Sequence, residues 1–464
     1  MIRIPPKTRI VFAAFGLLLA LSFVTTTEAE TKKERLDSLI RTYEAKGASF
    51  SVFAENKDGH ALYEYNKNKP LAIASLAKVL VTGAALKKLE RNHKFSTQLF
   101  IKGNISAGTL EGALVIKGTG DVSLSTRYYD EPLVEFRRWA ATLKALGINR
   151  IEGDLIVDGT YFDNEFIPPD FPRSQELRAY CAPVSPLSFN ENTVWVVVSG
   201  TKVGERAAVS LSPIPDVYKI ENRVITVEKK SEHLIDIKAA PGGELIVEGK
   251  CHQKTTEQKF AVSVREPLKY FGQVVLKTLT ETGIKIKGDV KVAEKPLSLD
   301  SLLVAEHSIS LIPFVATMNK ESVNLYAEVL LKVLGKTASN EGSRKNGLAV
   351  LKEYLSSLGV DEKEHSLTCG SGLAYNTVAT SKALVETLRD IEKSLPLKML
   401  FATAGVDGTL EKRFTDSPLK GKVWAKTGHL RISNSIAGVA QSEDGGKIYF
   451  AIIINGAERF SATT

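Results

Sequence analysis

The most constraining stretch of this chain is Ser75-Leu76-Ala77-Lys78, which opens an apolar segment running to Leu89. Leu76, Val79, Leu80, Gly83, Leu86 and Leu89 share one stripe at helical spacing, so the segment reads as a helix packed on a core. Three residues make about one helical turn, which points the Ser75 hydroxyl and the Lys78 amine the same way. A serine hydroxyl becomes a nucleophile when a base takes its proton, and a desolvated lysine can be that base at neutral pH. An ordinary helix N-cap would show the same pattern. It recurs at Ser199-Gly200-Thr201-Lys202 and Ser417-Pro418-Leu419-Lys420. The first of these sits at a strand end and the second runs into Gly421, so neither begins a helix.

Order along the chain narrows the choice. Ser322-Val323-Asn324 comes next, then Lys426-Thr427-Gly428 followed by strand-like sequence. To act together, these distant segments must meet around one groove. S-x-x-K, S-x-N and K-T-G in this order are the three elements of penicillin-binding proteins and class A β-lactamases.

A chain of 464 residues allows two or three domains, and 43% hydrophobic with 25% charged content reads as folded and globular. Arg3, Lys7 and Arg9 precede an apolar run, Ile10 to Val24, and then Thr27-Glu28-Ala29. That is the layout of a signal peptide over 1–29. The alternative, an uncleaved anchor, would need roughly 20 apolar residues, more than the run provides. The expected address is therefore the periplasm or another extracytoplasmic part of the cell envelope. Cys181, Cys251 and Cys369 cannot all pair; Cys181 with Cys251, or three buried thiols, both remain open. The net charge of +8 is a mild excess without dense basic runs. It suits a solvated surface, and is compatible with work beside an anionic envelope polymer or a membrane surface. Nothing suggests nucleic acid. There is no phosphate-binding glycine loop and no metal-ligand cluster, so neither cofactor nor metal is expected.

Residues 32–47 read as an amphipathic helix and 48–65 as a strand hairpin around Lys57-Asp58-Gly59. Between Lys78 and Ser322 the pattern turns to short alternating strands, at 114–117, 155–158, 194–198, 224–227, 234–237 and 245–247. The expected organisation is a serine domain over 30–96 and 266–464, an inserted β-rich domain over 97–197 and 244–265, and a small nested β domain over 198–243. Helical sequence resumes after Pro267, and the membership of a strand at 284–292 stays open. One helix is expected over 311–335 around the second motif, then helices at 348–358 and 382–393. Strands follow at 423–426, 435–441 and 448–455.

At these residues the chain resembles the class C low-molecular-mass penicillin-binding proteins, the D-alanyl-D-alanine carboxypeptidase/endopeptidases. The resemblance covers about 35–455. Beyond the three motifs it includes Gly118-Thr119-Gly120-Asp121, Gly153-Asp154-Leu155, Ala327-Glu328, Gly370-Ser371-Gly372-Leu373 and Gly405-Val406-Asp407-Gly408-Thr409-Leu410. It implies an α/β (α+β) transpeptidase-like, β-lactamase-like domain: an antiparallel sheet with helices on both faces and a helical cluster, interrupted by β-rich inserted domains. It also implies an acyl-enzyme on Ser75, with peptidoglycan stem peptides as substrates and β-lactams as covalent inhibitors. Lys78 would be the base, its pKa depressed by Lys426, and Ser322 would relay a proton to the leaving amine. Asn324 would hold Lys78 and the substrate backbone. Lys426 and Thr427 would bind the substrate carboxylate, Gly428 would let the substrate lie along the strand, and the amides of Ser75 and His429 would form an oxyanion hole.

Plainer readings stand beside these roles. Ser322 and Asn324 would serve as helix caps, Lys426-Thr427 as an exposed strand tip, Asp121 and Asp158 as turn residues and Glu328 as packing. Three departures are visible: Cys369 where the family usually has Asp, Val323 at a usually polar position, and a sequence ending at Thr464 where relatives often continue to a closing helix. The rival functions are a β-lactamase, for which no deacylating glutamate is assignable, and a non-catalytic penicillin- or peptidoglycan-binding homologue. Oligomeric state and carboxypeptidase or endopeptidase preference stay open.

Overall fold

The computed structural model describes residues 26–214, 216–297, 301–442 and 445–456. Most of the expected signal peptide, including its apolar run, and the residues beyond 456 lie outside this set. No helix among the described residues is long and apolar enough to cross a membrane. The chain divides into two compact units, one comprising residues up to 93, 168–171 and 310 onward, the other 94–167 and 172–309.

The first unit is built on a six-stranded antiparallel sheet. Its order is Ala402–Thr403, Val423–Leu430, Ser433–Gln441, Lys447–Asn455, Ser49–Asn56 and Ala61–Tyr65. Ser49–Asn56 is buried on both faces and pairs along its whole length with the last described strand. One face buries Phe50, Val52, Ile436 and Ile452 against Leu36 and Ile40 of the helix Thr26–Glu44. The other face carries the helix Ser381–Ser394, where Ser51 Oγ donates to Ser381 Oγ at 3.0 Å.

Behind that helix lies a cluster of Leu311–Lys320, Asn324–Ser339 and Arg344–Ser357, packed around Ala77–Lys88. The sequence suggested one apolar stripe on this central helix. Instead every residue from Ala77 to Ala85 is buried, because helices surround it. The single helix expected over 311–335 is two helices. The chain breaks between Lys320 and Asn324, and Ser322 takes a left-handed φ of 59° that no helix interior permits.

The second unit is not purely β. Its largest sheet, seven strands, joins Lys94–Ser106 antiparallel to Thr109–Gly118, which then pairs in parallel with Arg150–Ile151 and Leu155–Asp158. Parallel neighbours need a crossover. Here it is the helix Val134–Ala145, unassigned in the sequence reading although Phe136, Trp139, Ala140 and Leu143 are spaced for it. Two three-stranded sheets complete the unit. The boundary drawn at 266 moves to 309. The apolar face of Pro267–Glu281, with Phe271, Val274, Val275 and Leu279, packs into this unit's core beside Phe136. The nested segment also reaches beyond 243: Leu245–His252 is the middle strand between Ile220–Val227 and Leu234–Ala239. All three cysteines are buried and free.

Asp121 is more than a turn residue. Its buried carboxylate accepts from Ser123 N at 2.9 Å, Ser123 Oγ at 2.6 Å and Thr97 Oγ1 at 3.1 Å. It also lies 2.6 Å from His307 Nδ1, whose Nε2 is 2.7 Å from the Tyr129 hydroxyl. Removing one member of such a network strands the rest without water. Asp121→Ala is therefore expected to cost about 3–5 kcal/mol, read as a drop in the urea unfolding midpoint.

Candidate active site

The site begins with how the sheet grips the turn before the central helix. Ser433 Oγ and Asn455 Nδ2 donate to the carbonyl of Ala72, Ser435 Oγ donates to that of Ile73 at 2.8 Å, and Ala72 N donates to Asn455 Oδ1 at 2.8 Å. Residues 72–73 are thereby fixed to the strands, and Ala74 follows with φ of 50°, a conformation non-glycine residues rarely adopt. A 3₁₀ turn, Ala74–Leu76, then delivers Ser75 to the first turn of Ala77–Lys88.

Lys78 is fully buried. Its Nζ lies 2.9 Å from Ser75 Oγ, 2.8 Å from Asn324 Oδ1 and 2.8 Å from the carbonyl oxygen of Ser371. The first two motifs therefore meet through one amine. Burial pulls Lys78 down to about 7, opposed by the charge of Glu328. The Lys426 charge expected to cause this shift is not its origin. Lys426 is itself fully buried and lies well below the ordinary lysine value, first by burial, then by the charges of Lys78 and Arg413.

Lys426 brings in the third motif. Its Nζ donates to Ser322 Oγ at 2.8 Å and to the Thr427 carbonyl at 2.7 Å. The reading of Lys426-Thr427 as an exposed tip is thus overturned for the lysine. Thr427 Oγ1 donates to Thr409 Oγ1 at 2.9 Å. Thr409 sits on a loop anchored by Asp407, which accepts from Lys320 Nζ at 2.7 Å and Thr403 N at 2.6 Å. His429, exposed at the strand end, places Nδ1 2.7 Å from Asn434 Oδ1.

Gly428 is demanded from behind as well as by any ligand in front. A Cβ there would lie 2.3 Å from Ser435 Oγ and 2.8 Å from the Ile73 carbonyl, so the strand and the Ser75 turn could not approach. Gly372 is tighter still: its φ is 75° and a Cβ would fall 1.8 Å from the Ala74 carbonyl oxygen.

The sequence reading brought Ser75, Lys78, Ser322, Asn324 and Lys426 to one place, and these five are linked here through the two lysine amines. It missed the backbone acceptor at Ser371 and the part taken by Glu328. Both lay inside segments noted for resemblance, but a carbonyl oxygen carries no sequence signal and Glu328 read only as a packing residue on its helix. Ser199-Gly200-Thr201-Lys202 and Ser417-Pro418-Leu419-Lys420 begin no helix.

Comparison with known proteins identifies relatives of the whole chain. The D-alanyl-D-alanine carboxypeptidase of Actinomadura sp. (strain R39) is 28% identical over 447 residues, covering 91% of this chain and 81% of the relative. D-alanyl-D-alanine carboxypeptidase DacB of Haemophilus influenzae is 25% identical over 452 residues, covering 95% and 91%. The crystal structure of penicillin binding protein 4 (dacB) from Haemophilus influenzae superposes with a TM-score of 0.77 at 25% identity, covering 89% and 91%. A second structure of that protein, complexed with a β-lactam, superposes at 0.72. The model of the D-Ala-D-Ala carboxypeptidase 3 (S13) family matches residues 32–464, and this chain, a serine peptidase, belongs to that family.

Proposed function

We propose that the chain is an exported D-alanyl-D-alanine carboxypeptidase acting on peptidoglycan stem peptides through an acyl-enzyme on Ser75. The observation that carries this reading is the buried Lys78 amine, held within hydrogen-bonding distance of Ser75 Oγ while burial draws its pKa to about 7. An amine with that pKa is largely neutral just above neutral pH and can take the Ser75 proton. Ser75 Oγ then attacks the carbonyl between the two D-alanines. The C–N bond breaks, the amine of the terminal D-alanine takes a proton by way of Ser322, and D-alanine leaves. Water cleaves the remaining ester. Ser322 suits this relay because Lys426 Nζ donates to its hydroxyl.

The terminal carboxylate of the substrate would sit on Lys426 and Thr427, beside Thr409. The Ser75 and His429 amides would receive the oxyanion. Asn324, occupied with Lys78 through its oxygen, would orient the amine and the substrate backbone. A β-lactam supplies a strained amide in the same place, and its leaving nitrogen stays tethered, so the adduct persists. A β-lactamase reading needs a carboxylate to activate water. Glu328 is poorly suited, because both its oxygens already accept backbone amides, from Ser371 at 2.7 Å and Gly370 at 3.1 Å. The basic start and apolar run before Ala29 support export to the cell envelope, and β-lactams are the expected partners besides peptidoglycan peptides.

Mass spectrometry of a digest after penicillin treatment is expected to find the adduct on the Ser75 peptide, and Ser75→Ala to abolish labelling. A mutant that still labels would sink the assignment. Incubation with a pentapeptide ending in D-Ala-D-Ala should release D-alanine; a folded, unmodified protein that releases none would be the non-catalytic homologue. Fast turnover of a chromogenic cephalosporin would instead identify a β-lactamase. Replacing Lys78 by Met should slow acylation by about 10²- to 10⁴-fold. In the wild type, acylation should rise with pH to half its plateau near the Lys78 value of about 7, because only the neutral amine is a base. A rate flat between acid and neutral pH would remove Lys78 from that role.

A further inference from the structure

Lys78 rests on a loop, and the loop rests on Glu328. One of the three acceptors around the amine is the carbonyl of Ser371, at 2.8 Å. The position of that carbonyl depends on the peptide planes of Gly370 and Ser371. Both amides of these planes point into one buried carboxylate: Ser371 N donates to Glu328 Oε1 at 2.7 Å and Gly370 N to Oε2 at 3.1 Å. Glu328 is 2% exposed and lies one turn beyond Asn324 on the helix Asn324–Ser339. One helix therefore supplies the Asn324 acceptor of Lys78 directly and the Ser371 acceptor through the loop.

We propose that Glu328 is a positioning residue for the reaction, clamping the Gly370–Ser371 amides and holding a negative charge behind the Lys78 amine. This rests on the reading of Ser75 and Lys78 given above. A carboxylate that accepts two amide hydrogens in a dry site is charged and fixed, and it draws a proton toward the neighbouring amine. The charge around Lys78 is then a balance. Burial forms one side, and the Glu328 charge is the first force on the other. Cys369 completes the surround. Its thiol is buried and pushed up by burial and by the Glu328 charge, and after Glu328 it is the second group that raises Lys78.

The test compares full-length wild type with Glu328→Gln and Glu328→Asp, following acylation by a fluorescent penicillin from pH 5 to 9, with thermal unfolding recorded in parallel. Gln keeps the volume but loses the charge, and its amide nitrogen faces one of the two loop amides. Removing the anion makes the Lys78 proton easier to lose. The rising limb of the rate is therefore expected to move to lower pH by about one unit, with the plateau about tenfold lower. Asp keeps the charge but is one carbon short of the loop, so its plateau should fall about tenfold while the midpoint stays. If Glu328→Gln does not fold, Glu328→Ala, which also removes the charge, carries the test by the same shift of the midpoint to lower pH. Folded variants with wild-type plateau and midpoint overturn the proposal. So does a Glu328→Gln rate reduced equally at every pH, which is what a merely structural residue would give. Ser75→Ala run alongside separates the two ideas. Labelling that survives it overturns the Ser75 reading and this proposal with it, whereas Ser75-dependent labelling with unaffected Glu328 variants overturns this proposal alone.

Discussion

The constraint on which the site depends is the removal of two lysine amines from water within one small volume. Each such burial is unfavourable for the charged form, and two neighbouring cations are worse than one. The protein meets this by giving the Lys78 amine three hydrogen-bond partners, Ser75, Asn324 and Ser371, and the Lys426 amine two, Ser322 and Thr427. It also leaves both amines readily deprotonated. The same physics that makes the arrangement costly makes Lys78 a base.

Holding those acceptors still requires rigid parents, and each comes from a different element. The sheet fixes Ala72 and Ile73, the helix break at Ser322 turns one hydroxyl toward Lys426, and the loop at 370–372 presses its glycine against Ala74. Two non-glycine residues, Ala74 and Ser322, sit at positive φ immediately beside or within motifs. Such conformations persist only where surrounding structure over-determines them. Here the hydrogen bonds from Ser433, Ser435 and Asn455 do so for the turn before Ser75.

Much of this was legible in the sequence, and the gaps have physical causes. The motifs announced the meeting of Ser75, Lys78, Ser322, Asn324 and Lys426, because chemistry restricts which side chains can stand there. The sheet strands and the helix after Thr380 showed through their periodicity. The break at Ser322 did not, since Leu311 to Gly335 is apolar at helical spacing and only the backbone reveals the interruption. The crossover helix Val134–Ala145 was masked by a region dominated by strand signals. The boundary at 309 was hidden because the apolar face of Pro267–Glu281 would have suited either core. Ser371 acts through its carbonyl, which every residue possesses, so no sequence pattern could single it out.

The central sheet has a consequence for timing. Ser49–Asn56, made early, is flanked on one side by Ala61–Tyr65 and on the other by Lys447–Asn455, the last described strand. Asn455 on that late strand is also what ties down Ala72, three residues before the nucleophile. A nascent polypeptide therefore carries its serine and lysine long before it has the support that aligns them. Alignment of the nucleophile thus waits on the arrival of Lys447–Asn455 in the sheet.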